Sequence, residues 1–137
     1  MHLSATLWLA PLFAPMVVAN ANQQTRQEKV QELAEKRLTA ARAAFDAWFK
    51  LAKANEQNDR ITQDRMYHLS IRVLDAELSL TKQKEARVAA YEGHLGRMRD
   101  WENLVVGRVK LGAAPAAERV VVESYRVEAE YWLEQAK

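Results

Sequence analysis

The residues of this 137-residue chain best suited to moving a proton or holding a metal near neutral pH are its three histidines, His2, His68 and His94. His68 follows Asp64 by one helical turn, so the two could share a face and hold a metal between them, but two ligands make a weak site without further donors. His94 interrupts an apolar seam, and no Glu-x-x-His pattern of the di-iron bundles accompanies it. It reads as a partly buried polar contact. Glu77 and Glu130 each follow a small Ala and are a pair of carboxylates that could do acid–base work if burial raised one pKa. No nucleophile or oxyanion site accompanies them, so a surface role, or a salt bridge to a neighbouring helix, is the expectation. Ser70, Ser79 and Ser124 lack a Gly-x-Ser-x-Gly elbow, and no Gly-rich phosphate loop is present. With no cysteine there is no thiol nucleophile, thiolate site or disulfide. No residue is assigned as catalytic, cofactor-binding or metal-ligating.

The elements that would position such residues are helices, and they repeat. A constant offset carries Trp48 onto Trp101, Leu51 onto Leu104, Ala76-Glu77 onto Ala129-Glu130, Leu80 onto Leu133 and Lys84 onto Lys137 without a gap. Similar residues fill other places, such as Phe45 and Met98, Leu74 and Val127, Leu78 and Tyr131. A repeat of this kind marks a unit that buries its apolar stripe against a second copy. The expected fold is all-α: duplicated antiparallel helical hairpins, about 26–80 and 81–137, forming an elongated four-helix bundle or coiled coil.

The first residues differ from the rest. Leu3 to Val18 carry no charge, Pro11 and Pro15 break the apolar run, and Ala19-Asn20-Ala21 puts small residues where a signal peptidase reads. The run is short for a span of about 20 residues. Residues 1–21 are expected to be a secretory signal peptide, despite an n-region without Lys or Arg, with an uncleaved anchor and a buried N-terminal helix as the rival readings, and 22–137 the single mature domain, with no membrane span. The chain has Lys+Arg 20 against Asp+Glu 18, net +2, with the signs interspersed. That is a solvated surface rather than a polyanion-binding face, and it argues against nucleic acid.

Within the mature region, Gln23 to Gln57 has neither Gly nor Pro and is rich in good helix formers. Its seam is Leu38, Ala41, Phe45, Trp48 and Ala52, in steps of three and four. Asn55 to Arg60 is polar and predicts a turn. Thr62 is the expected cap of a second helix, with Asp64 at its positive end and a seam of Tyr67, Ile71, Leu74 and Leu78. The third helix carries Tyr91, Met98, Trp101 and Val105 and ends at Gly112, with Pro115 opening the fourth. The fourth is read on Val120, Ser124, Val127 and Tyr131. Between the second and third helices the pattern barely falters. Either Thr81 caps a new helix, or the two fuse into a rod of roughly 75 Å by the helical rise. Gly93 and Gly96 suggest a close backbone approach or a kink. The expected core or interface anchors are Phe45, Trp48, Leu74, Leu78, Met98, Trp101, Val127 and Tyr131. Tyr131 and Trp132 adjoin and cannot share a face, so one of them should be exposed or covered by a partner.

The second half resembles the helical hairpin repeat of the TolC family of outer-membrane efflux proteins. The residues that carry the likeness are Gly112, Pro115 (often Ser in that family), Glu118, Val120, Glu123, Ala129 and Leu133. The first copy is looser: Asp59 stands for the Gly, Thr62 for the Ser and Arg65 for the acid, while Ala76 and Leu80 agree. The plan also resembles small, barrel-less exported helical proteins of planctomycete type. A TolC-type channel needs strands for its barrel, and no alternating run of strand length is found here. The expected function is therefore an exported, periplasmic, non-enzymatic protein that associates with itself or a protein partner through coiled-coil faces. The alternative is an accessory or remnant component of an efflux system, docking with its other parts.

Overall fold

The computed structural model describes residues 14–54 and 62–137, with side chains from residue 21 onward. Its elements are α1 (Ala14–Ala54), α2 (Gln63–Leu80), α3 (Lys84–Lys110) and α4 (Ala116–Ala136); no strand occurs among the described residues. The start of the expected signal segment, residues 1–13, and the expected turn at Asn55–Arg60 lie outside them. No described helix is long and apolar enough to cross a membrane. The chain divides into two compact units, Met1–Glu32 and Leu33–Lys137. In the first, the described residues are helical and the side chains from residue 21 are exposed, with Thr25 donating to the Ala21 carbonyl at 3.0 Å and Lys29 pairing with Glu32 at 3.0 Å.

The second unit is a helical bundle. The seam of α1 faces inward as its spacing predicts: Phe45 and Ala52 are buried, and Leu38, Ala41 and Trp48 pack against the same cluster. That cluster joins Phe45 to Met66 and Val73 of α2, Trp101 and Val105 of α3, and Val122 of α4. A second cluster joins Leu95 and Met98 to Ala129 and Leu133. Along α3 and α4, Arg99 pairs with Glu130 at 3.1 Å and Glu102 with Arg126 at 2.7 Å, so later residues of one meet earlier residues of the other.

The helix ends follow from local chemistry. Thr62 is extended (ψ 155°) and its hydroxyl accepts the Arg65 N–H at 3.2 Å, which satisfies an orphan donor of the first turn of α2. α2 and α3 are separate helices, so the fused rod is excluded. Thr81 is not the cap of α3, however. It ends α2 in extended geometry (φ −144°, ψ 144°) and its hydroxyl accepts the Gln83 N–H at 3.2 Å, while Gln83 takes the N-cap position without a side-chain cap. A hydroxyl competing for the backbone breaks the helix where no Gly or Pro does. α3 closes in a Schellman motif: Gly112 lies at φ 70°, its N–H bonds to Val109 at 3.0 Å, and the Ala113 N–H bonds to Arg108 at 2.9 Å. Pro115 is the N-cap of α4, and its carbonyl accepts the Glu118 N–H at 3.0 Å. Gly93 and Gly96 mark no close backbone approach. A Cβ at Gly93 would meet only side-chain atoms at 3.4 Å or more, and one at Gly96 nothing within 4 Å.

On α4 the predicted seam faces the wrong way. Val120, Ser124, Val127 and Tyr131 are all exposed, and the core side of the helix is Val122, Ala129 and Leu133, with Tyr125 packed beside them. Val127 and Tyr131 are thus not core anchors of this chain. The residues that the sequence offset sets against them are placed differently: Leu74 is buried and Leu78 half-buried on α2, a helix covered by α1, α3 and α4. α4 packs against α3 and α2, and its outer side stays open.

Candidate functional site

Four of the expected anchors, Phe45, Leu74, Met98 and Trp101, are buried, while Trp48 and Leu78 are half-buried. Trp48 lies under the Arg65 guanidinium at 4.6 Å, and Trp101 meets Phe49 edge-on at 6.3 Å. These positions hold the bundle together. Chemistry or recognition must come from the polar groups and surfaces that they position.

The most concentrated polar group in the core is Ser70, His94 and Arg97. Ser70 and His94 are fully buried, with Ser70 Oγ 2.8 Å from His94 Nδ1. Arg97 Nε donates to the same Oγ at 2.8 Å. The Ser70 hydroxyl thus accepts the Arg97 N–H and shares a second hydrogen bond with the imidazole, in which the ring tautomer sets the donor. Arg97 also lies 3.8 Å from Glu77, which pairs with Arg42 at 2.8 Å. Burial, and then the Arg97 charge, hold the His94 pKa down to about 4. A serine–histidine contact resembles a nucleophile and its base, but both groups are sealed from solvent and no substrate could reach them. The trio is a polar layer in the core that shares the Ser70 hydroxyl, while His94 Nε2 is buried without a hydrogen-bond partner among the described residues. Its one signal in the sequence is His94, a polar residue set into the apolar seam of α3.

Glu77 and Glu130 do form the salt bridges expected of them: Glu77 meets Arg42 and Arg97, and Glu130 meets Arg99 at 3.1 Å and Arg126 at 2.8 Å. His68 and Asp64 are not brought together. His68 lies edge-on to Tyr67 at 5.6 Å, and Asp64 accepts the Tyr125 hydroxyl. Among the described residues no group of three or more His, Cys, Asp or Glu comes together to hold a metal.

One arrangement had no signal in the sequence. Tyr67 and Tyr125 stack at 4.3 Å between α2 and α4, and Tyr67 donates to Glu128 at 2.7 Å as Tyr125 does to Asp64. Burial first, then the carboxylate it bonds, pushes the Tyr125 phenol up to about 12; burial and then Glu128 push Tyr67 higher still. Both remain protonated donors at physiological pH.

Two surfaces remain. A groove of about 740 Å³ lies among the end of α2, the start of α3 and the end of α4. Ile71, Leu78 and Trp132 line it, with Lys82, Lys84 and Arg87 as its basic groups and Asp75 as its acid. The second surface is the outer face of α4, where Val120, Val127 and Tyr131 stand 67%, 50% and 59% exposed, flanked by Glu123 and Glu128. Tyr131 is exposed and Trp132 half-buried, as their adjacency requires. Comparison with protein-family models, with curated proteins and with solved structures gives no match.

Proposed function

We propose that this chain is an exported, non-enzymatic helical protein that acts by protein–protein association through the outer face of α4. One observation carries the reading. Val120, Val127 and Tyr131 recur at helical spacing on the side of α4 opposite its core face, and all three are exposed. An amphipathic helix needs one apolar stripe to pack into its own domain. A second stripe on the far side is a surface for a partner.

The duplicated antiparallel hairpin is part of the same proposal. Phe45 and Met98, Ala52 and Val105, and Ala76 and Ala129 are equivalent pairs buried in both halves. Glu77 and Glu130 each sit between two arginines. Export rests on the apolar, uncharged residues 3–18 and the Ala19-Asn20-Ala21 step, and predicts a secreted chain beginning at Asn22.

A photo-crosslinking side chain in place of Tyr131, in the full chain expressed in its host, tests the reading. A discrete protein adduct is expected at this position and not at Asp100, which is exposed on α3. Equal labelling at the two positions would refute association through this face. An adduct to an efflux-channel component would promote the accessory role that Gly112, Glu118, Ala129 and Leu133 suggest.

A further inference from the structure

We infer that the partner of the α4 face is a second copy of this chain, docked head to tail into the groove between α2, α3 and α4. The inference rests on the association reading above and adds the occupant and its geometry.

The groove is electropositive. Lys82, Lys84 and Arg87 line it, and none of their side chains has an ion pair or hydrogen bond among the described residues. This sets them apart from Arg42, Arg97, Arg99 and Arg126, each of which holds a carboxylate. Lys84 is moreover the first residue of α3, where the helix dipole disfavours a cation unless an anion arrives to offset it. Only Asp75 counters them within the lining. Behind the charges lies an apolar surface of Ile71, Leu78 and Trp132, long enough for a short stretch of helix.

The α4 face has the opposite character. Glu123 and Glu128 flank its apolar residues, and no basic residue lines it. Glu128 already accepts the Tyr67 hydroxyl, but Glu123 has no partner among the described residues. At the helical rise of ~1.5 Å per residue the α2 wall of the groove, Ile71 to Leu78, is roughly 10 Å long and the stripe from Val120 to Tyr131 roughly 16 Å, so the groove takes about two turns of the stripe. An apolar, acidic ridge therefore meets an apolar, basic trough. The symmetric alternative, stripe against stripe, would bring Glu123 and Glu128 of both copies together with no cation lining either face, and like charges at an interface are disfavoured. Because the two surfaces differ, each docking leaves one of each free, so the assembly grows into a ring or an open filament rather than stopping at a two-fold dimer.

Sedimentation velocity of the full chain tests this with two variants. Lys84→Glu/Arg87→Glu removes the groove and keeps the stripe; Val127→Ser/Tyr131→Ser does the reverse. All four positions are exposed or half-buried, and circular dichroism checks that each variant stays helical. The wild type is expected to form larger species as concentration rises, and less so at high salt. Each variant alone should remain monomeric. An equimolar mixture should give a heterodimer and nothing larger, because only one complementary pair of faces survives. Assembly of the Lys84→Glu/Arg87→Glu variant like the wild type would overturn the head-to-tail geometry and leave association through α4 intact. So would a monomeric wild type whose Tyr131 crosslinks to a different protein. A monomeric wild type with no adduct at Tyr131 removes both.

Discussion

The indole of Trp132 lies on the imidazole of His94, with ring centroids 5.6 Å apart and planes 23° apart. Trp132 also lines the groove, so one side chain both closes over the buried ring and forms part of an open surface. The cover has a consequence for pH dependence. The folded ring takes its proton only near pH 4, against 6.5 for an unperturbed imidazole, because burial penalises the cation. As pH falls, the unfolded state binds that proton first. Stability held at pH 7 is therefore lost as pH drops through the window from about 6.5 to 4, by at most about 3 kcal/mol from this group. Nitrogen-15 NMR of the imidazole should show a neutral ring at pH 7 that titrates near 4. Trp132→Ala should move that titration upward by admitting water. A His94 titrating near 6.5 in the wild type would show that the ring is not sealed.

Trp101 is the largest fully buried side chain of the bundle and touches the cluster that joins all four helices. Replacing it with Ala removes a large apolar body and leaves a cavity that the neighbouring helices cannot fill. Chemical denaturation should show a loss of about 3–5 kcal/mol. A loss below about 1 kcal/mol would mean that the ring contributes little to the core.

Glu77 and Glu130 should respond unequally. Glu77 is mostly covered and is the carboxylate facing Arg97, a guanidinium held inside the bundle, whereas Glu130 is considerably more exposed. Glu77→Gln leaves Arg97 without that charge partner and should cost about 1–3 kcal/mol. Glu130→Gln should change stability far less, since Arg126 keeps Glu102 at 2.7 Å and the pair is screened by water. Parallel denaturation curves of the two variants check the asymmetry. Equal losses would contradict it.

Much of this architecture is legible in the residues. The α1 seam, the Thr62 cap, the Gly112 stop and the burial of Phe45, Leu74, Met98 and Trp101 all follow from spacing and local chemistry. The outer face of α4 is harder to read, because that helix carries two apolar stripes and periodicity alone cannot say which one the domain buries. The repeat pointed to Val127 and Tyr131 through Leu74 and Leu78, but it maps residue types and not neighbours. A central helix and an outer helix need different faces covered. The break at Thr81 stands in the sequence only as one of two readings, since a single hydroxyl bond decides it. The tyrosine stack is a long-range pairing with no local signature, and of the Ser70–His94–Arg97 layer only His94 shows in the pattern, without its partners.

The glycines separate backbone need from simple tolerance. Gly112 sits at φ 70°, where a side chain crowds the following carbonyl, and it closes both bonds of the Schellman turn. Gly112→Ala should therefore destabilise by about 1–2 kcal/mol. Gly96 lies inside α3, exposed, and a Cβ there would meet nothing within 4 Å. A methyl group at that place restricts the unfolded chain and strains nothing in the folded one, so Gly96→Ala should stabilise by about 1 kcal/mol. Thermal melts of the two variants should thus move in opposite directions from the wild type. If Gly96→Ala lowered the melting temperature, the position would need a flexible backbone or a close neighbour, such as another chain against α3.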